Sequence, residues 1–155
     1  MNKLSVILSI FLIASCASTY QSSDDLNAAI VEVLTPKSNL KLFAGSSTQN
    51  TRIGEIDSSG CLSNLAKVEM ESFRNDGKLA LPSGKEIGIL VSATQDTKVC
   101  AVSAAVTLKP NAQYKVVFDM GYRGCSFNLL KLDGNKTSKV EFTKLRQGAF
   151  SHCKS

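Results

Sequence analysis

The sequence predicts an all-β domain, an antiparallel β-sandwich of about seven to nine strands. Three observations carry that expectation. Apolar residues recur at every second position over much of the chain, the period of a strand with one buried face. Turn-forming residues interrupt these segments at intervals of roughly 8–14 residues, as they do in sandwiches and small barrels. No segment combines a 3.6-residue apolar period with helix caps, and only residues 21–30 leave room for one short helical turn.

Residues 26–34 and 39–43 are strand candidates on either side of Thr35-Pro36, because proline cannot donate to a ladder. Residues 52–56 form a short candidate. Residues 66–73 and 78–81 flank Arg74-Asn75-Asp76-Gly77, and Asp-Gly between apolar runs predicts a hairpin, since both residues tolerate positive φ. Pro82-Ser83-Gly84 leads into a strand over residues 85–93. The alternation then becomes regular. Cys100, Val102, Ala104, Val106 and Leu108 share one face of a strand over 98–108. Tyr114, Val116, Phe118 and Met120 share the inward face of 113–120, and Cys125, Phe127 and Leu129 that of 124–132. Lys109-Pro110-Asn111-Ala112 and Asp133-Gly134-Asn135 are turns between them. In 138–145, Val140 and Phe142 alternate with Lys139, Glu141 and Thr143. The pattern suits an immunoglobulin- or transthyretin-like sandwich, with a small β-barrel as the alternative.

Ahead of this domain, residues 1–15 have the layout of an export signal. Lys3 supplies a basic start, Leu4 to Ile13 an apolar run broken by Ser5 and Ser9, and Ala14 and Ser15 a small-residue close before Cys16. The run is much shorter than the ~20 residues of a membrane-spanning helix. Ile13-Ala14-Ser15-Cys16 resembles the lipobox of bacterial lipoprotein precursors. That resemblance implies a diacylglyceryl thioether on Cys16, which becomes the new N-terminus and carries the protein to the membrane on its acyl chains. Ala17 and Ser18, not aspartate, follow the cysteine. By the same resemblance the address is the periplasmic face of a Gram-negative outer membrane. Plain secretion, with Ser15-Cys16-Ala17 read as the cleavage site, is the rival.

Loss of residues 1–15 leaves 155 − 15 = 140 residues, and because Lys3 leaves with them the net charge falls from +5 to +4. Residues 16–25 are expected to be a lipidated tether, polar and without period, whose last nine residues reach ~30 Å when extended. Residues 26–155 form one domain. Its basic excess lies late, at Lys131, Lys136, Lys139, Lys144, Arg146 and Lys154. Such charge attracts anionic lipid or glycan, but its alternation with apolar residues is that of a solvated strand face. Nucleic acid is not an expected partner. An envelope protein or an anionic glycan or lipid is.

Four cysteines remain after Cys16: Cys61, Cys100, Cys125 and Cys153. An even count outside the cytoplasm suggests two disulfides, with three pairings open. Spacings of dozens of residues do not suit zinc. Because Cys100 and Cys125 both fall in the apolar phase, the preferred pairing is Cys100–Cys125 with Cys61–Cys153.

Catalytic chemistry is thinly represented. His152 is the single histidine and neighbours Cys153, yet sequence neighbours on an extended chain point to opposite faces. There is no Gly-x-Ser-x-Gly elbow. Glu69, Glu71, Asp96 and Asp119 are the carboxylates a glycosidase-type pair would draw on. In Gly121-Tyr122-Arg123-Gly124, Tyr122 and Arg123 make a weak candidate ligand contact, with Arg123 as a bidentate clamp. The bland reading of that stretch is the turn before Cys125. No cofactor or metal is implied.

Residues 81–132 carry a second likeness. Pro82-Ser83-Gly84-Lys85, Cys100, Pro110-Asn111-Ala112-Gln113-Tyr114 and Gly124-Cys125 resemble an arrangement in small bacterial lipoproteins. There a proline-led turn enters a strand with an inward tyrosine, and two cysteines bridge neighbouring strands. The resemblance implies an all-β envelope domain and brings no reaction. The expected function is therefore a non-enzymatic interaction or accessory module anchored at the membrane. The alternatives are an inhibitor of lysozyme-type hydrolases, which like charge disfavours, and a carboxylate-dependent envelope hydrolase.

Overall fold

β5 (Glu86–Gln95) and β6 (Lys98–Thr107) pair antiparallel along their whole length, from Glu86 opposite Thr107 to Gln95 opposite Lys98. This hairpin is the centre of one sheet in a computed structural model that describes residues 18–33, 47–74, 78–95, 98–121, 124–147 and 152–154. The export signal, Cys16, the strand expected over 39–43, Asp96, Tyr122 and Arg123 lie outside the described residues.

The described residues form an all-β sandwich of two five-stranded sheets and one two-stranded piece. The first sheet has β1 (Ala29–Val33), β4 (Leu79–Leu81), β7 (Gln113–Gly121), β8 (Gly124–Asp133) and β9 (Lys136–Lys139), in the order β4-β1-β7-β8-β9. The second has β2 (Ser47–Ile56), β3 (Leu62–Lys67), β5, β6 and β10 (Thr143–Lys144), in the order β10-β6-β5-β2-β3. β11 (Arg146–Gln147) pairs with β12 (His152–Cys153). Neither large sheet closes on itself, so the barrel alternative is set aside. Among the described residues all ladders are antiparallel except β1 with β7, which run parallel with Val31 opposite Tyr114. The strands outnumber those expected because the 138–145 segment divides between β9 and β10, and β11 and β12 span only two residues each, too few to show a period.

The core is built from the inward phase of the long strands. Ile87, Ile89 and Val91 of β5 and Val102, Ala104 and Val106 of β6 are buried with Tyr114, Val116 and Phe118 of β7 and Phe127 and Leu129 of β8. Cys100 of β6 is bonded to Cys125 of β8, so this disulfide crosses between the sheets. Cys61 is bonded to Cys153, which ties β12 to the β2–β3 turn.

A second apolar cluster lies on the outer face of the β10-β6-β5-β2-β3 sheet, where Leu62, Leu90, Ala105 and Leu145 are buried together. Its floor is a row of small residues, with Gly54 opposite Gly88 and Gly88 opposite Ala105. A Cβ on Gly88 would run into the Leu62 side chain, so the missing side chain is the slot Leu62 occupies. Thus β5 is covered on both faces, which explains its unbroken Ile89-Leu90-Val91 run. The C-terminal segment completes the cover: Leu145 N donates to the Ser103 carbonyl, and Ser103 Oγ lies 2.9 Å from His152 Nδ1.

Two expectations are corrected. Residues 66–73 do not form a strand: β3 ends at Lys67, and a 3-10 turn at Met70–Ser72 follows, held by the Glu69 N–H donating to Ser72 Oγ. The expected Asp76-Gly77 turn lies outside the described residues; β3 and β4 on either side of it belong to different sheets and do not pair, although the Arg74 N–H donates to the Lys78 carbonyl. Residues 138–145 are likewise split, since Val140 and Phe142 leave β9 for β10 and pack into the core on the way. Phe142 meets Phe127 edge-on at a centroid distance of 5.1 Å.

Candidate functional site

Residues 18–25 are not a free spacer. The Lys67 N–H donates to the Ser18 carbonyl, and the Tyr20 N–H donates to the Lys67 carbonyl, making a parallel bridge along β3. The Tyr20 hydroxyl then donates to the Ala80 carbonyl of β4 at 3.0 Å. The Ser22 hydroxyl donates to the Ser72 carbonyl and accepts from the Ala80 N–H, while the Ser23 N–H donates to the Ala80 carbonyl. These eight polar residues looked like a tether because they lack a period. Their backbone and hydroxyl groups satisfy edge-strand donors and acceptors instead, which hydropathy does not register. The result is a strap joining β3 of one sheet to β4 of the other, both edge strands on one flank.

Beside Tyr20 of the strap lies a half-open cavity of about 330 Å³ lined by Tyr20, Ile53, Ala66, Pro82 and Ile87, with Glu55, Asn64 and Lys85 at its exposed mouth. Ile53 and Ile87, core residues 4% and 2% exposed, form its floor. Ala66 is opposite Ile53 across the β2–β3 ladder and so shares its inward face. The three polar residues, all exposed, are bonded to one another. Asn64 Nδ2 donates to Glu55 Oε2 at 3.1 Å, and Lys85 Nζ donates to Glu55 Oε1 at 3.4 Å. Those bonds, the Asn64 amide first and then Lys85, hold the Glu55 carboxyl below its ordinary pKa. Asn64 takes a φ of 50°, a left-handed conformation that asparagine tolerates, and this sits beside the register shift between Ile53 and Glu55. Burial pushes the Tyr20 phenol up to about 12.

No known protein family, curated protein or solved structure matches this chain.

A second concavity, about 490 Å³ and open, lies at the end of the sandwich against Lys109, Asn111, Lys131 and Asp133. Lys131 Nζ donates to both Asp133 oxygens, at 2.7 and 2.9 Å. The Tyr114 hydroxyl is used in the fold, accepting from the Lys109 N–H at 2.9 Å.

Three of the four carboxylates singled out from sequence are described, Asp96 being outside the described residues. Glu69 is ion-paired with Lys67 on the strap flank, Glu71 is exposed in the 3-10 turn, and Asp119 is exposed on the outward face of β7. Among the described residues no three of His, Cys, Asp and Glu gather as a metal would require. His152 faces Ser103, and its neighbour Cys153 is bonded to Cys61. Of the late basic residues, Lys131 pairs with Asp133 and Lys154 with Glu86, while Lys136, Lys139 and Lys144 are exposed on the edge strands β9 and β10. Lysines there deter edge-to-edge pairing with another chain.

Sequence reasoning missed the strap cavity. Glu55, Asn64 and Lys85 come from separate segments with no motif between them. Tyr20 offered a signal, as the lone aromatic in a polar stretch.

Proposed function

We propose that this chain is a lipid-anchored envelope protein whose β-sandwich is a non-enzymatic interaction module held close against the membrane. The observation that supports this reading is the strap. The chain docks onto the domain from Ser18, two residues after the lipobox cysteine. Two chain steps span at most about 7 Å, so a lipid on Cys16 draws the strap flank itself to the bilayer instead of letting the domain swing on a leash. Two disulfides suit the oxidising envelope. Export past the inner membrane to the periplasmic face of the outer membrane is the address, and partners are envelope proteins or anionic glycan or lipid.

The test is the intact mass of protein purified from membranes, before and after reduction. The expected mass begins at Cys16, carries diacylglyceryl and acyl groups, and rises by four hydrogens on reduction. An N-terminus elsewhere, without lipid, overturns the anchoring. Crosslinking in cells followed by isolation is expected to recover a recurrent envelope partner; repeated isolation without one overturns the interaction role.

A further inference from the structure

The strap cavity invites hydrocarbon. Tyr20, Ile53, Ala66, Pro82 and Ile87 give it an apolar floor and walls, and the polar groups at its exposed mouth, Glu55, Asn64 and Lys85, are already bonded to one another. A ligand therefore gains by burying methylenes there and has little to gain from polar atoms. The cavity also has a neighbour of fixed reach. Ser18 is bonded to Lys67 and Leu65 of β3, and the β3 residues on either side of Leu65, Asn64 and Ala66, line the cavity. Cys16 precedes Ser18 by two residues, at most about 7 Å of chain.

We propose that this cavity receives one acyl chain of the lipid carried on Cys16. The inference rests on the lipidation reading above. At about 330 Å³ the cavity lies near the small end of ligand sites, which run ~300–1,000 Å³, so it takes part of a single chain and leaves the others outside. One acyl chain alone anchors only marginally, whereas two anchor stably. A diacylglyceryl group and an amide-linked acyl group supply three chains, so seating one in the protein leaves two in the bilayer and the anchor stable, while the seated chain fixes how the domain is held against the membrane. Tyr20 links anchor and domain, since it is both a strap residue and a wall of the concavity.

The experiment loads the Cys16 lipid in living cells with a diazirine-bearing fatty acid, photolyses the purified mature protein and maps the adducts. Intramolecular adducts on Tyr20, Ile53, Ala66 or Ile87 are expected. Ala66→Phe, which fills the cavity, is expected to remove them while the lipid mass and both disulfides persist. Ala66→Leu serves the same purpose if the larger side chain prevents folding. In a second arm the unlipidated Cys16→Ser chain is titrated with free fatty acids up to laurate. Affinity is expected to rise about fourfold per added methylene until the cavity is full. Adducts confined to bilayer lipid overturn the proposal. Labelling by free laurate without labelling by the attached chain overturns it too, and gives the cavity to a free acyl ligand. Intact mass separates these failures from a Cys16 that carries no lipid, which overturns the anchoring reading itself.

Discussion

The Tyr20 hydroxyl donates to the Ala80 carbonyl at 3.0 Å, while the Tyr20 N–H donates to the Lys67 carbonyl at 2.8 Å. One residue thereby spans from the edge of one sheet to the edge of the other. Tyr20→Phe keeps the ring and the backbone bond and loses only the hydroxyl. Because Ala80 still accepts from Ser23, no carbonyl is orphaned. The expected cost is about 1 kcal/mol in urea unfolding, with faster proteolysis within residues 18–25.

Tyr20 also sets an alkaline limit. Its folded pKa, raised by burial to about 12, exceeds the ordinary 10.0. A raised value means the contribution is complete below pH 10 and is lost as pH climbs toward 12. Stability measured across that window should fall in the parent chain and fall less in Tyr20→Phe. An equal fall in both would remove Tyr20 as the cause.

Gly54 and Gly88 are opposite each other, yet alanine should act differently at the two. A Cβ on Gly88 meets the Leu62 side chain, which can rotate, whereas a Cβ on Gly54 meets the Ser63 carbonyl of the paired strand, which cannot move without opening the ladder. Gly88→Ala should cost about 1–3 kcal/mol and Gly54→Ala more. Adding Leu62→Ala should relieve the first clash and leave the second. Thermal melts of the single and double variants check this.

Leu145 is 3% exposed and closes the outer cluster over Leu62, Leu90 and Ala105. Leu145→Ala should cost about 2–4 kcal/mol through the cavity it leaves, and hydrogen exchange should rise in β11 and β12. If exchange there is unchanged, the C-terminal segment is held by Cys61–Cys153 and the Ser103–His152 contact alone.

The inter-sheet disulfide closes a separation of 25 residues, worth roughly 3–4 kcal/mol in the chain-entropy model. Replacing Cys100 and Cys125 together by alanine should lower the urea midpoint accordingly while the strand signal in circular dichroism persists. Loss of that signal would mean the bond is needed to form the sandwich and not only to stabilise it.

The inward faces of β6, β7 and β8 were legible in the amino-acid order, because alternation of side chains is a local property of extended backbone. Cys100 and Cys125 lie where their apolar phase put them. The stretch after Lys67 was not legible. Val68 and Phe73 are apolar and pack into the core, but from a 3-10 turn and its flanks, and no two-residue period separates that from a strand. Val140 and Phe142 misled in the same way, since a crossing chain buries side chains as well as a strand does. The strap looks like a tether in the sequence because its anchoring groups are backbone amides and hydroxyls, whose partners Lys67, Ser72 and Ala80 are 47 to 60 positions away. The cavity is further still from any local pattern, drawing Tyr20, Glu55, Asn64 and Lys85 from four segments.

What the sequence by itself determined is the all-β class and the inward residues of the long strands, since each depends on spacing between near neighbours. The tertiary structure alone decided that β3 and β4 part into different sheets, that the polar residues 18–25 are strapped across both edges, and that a cavity with an apolar floor opens beside them. Those outcomes are pairings between distant segments. They are chosen by which backbone donors and apolar faces remain unsatisfied once the sheets have formed, a condition no local stretch of sequence contains.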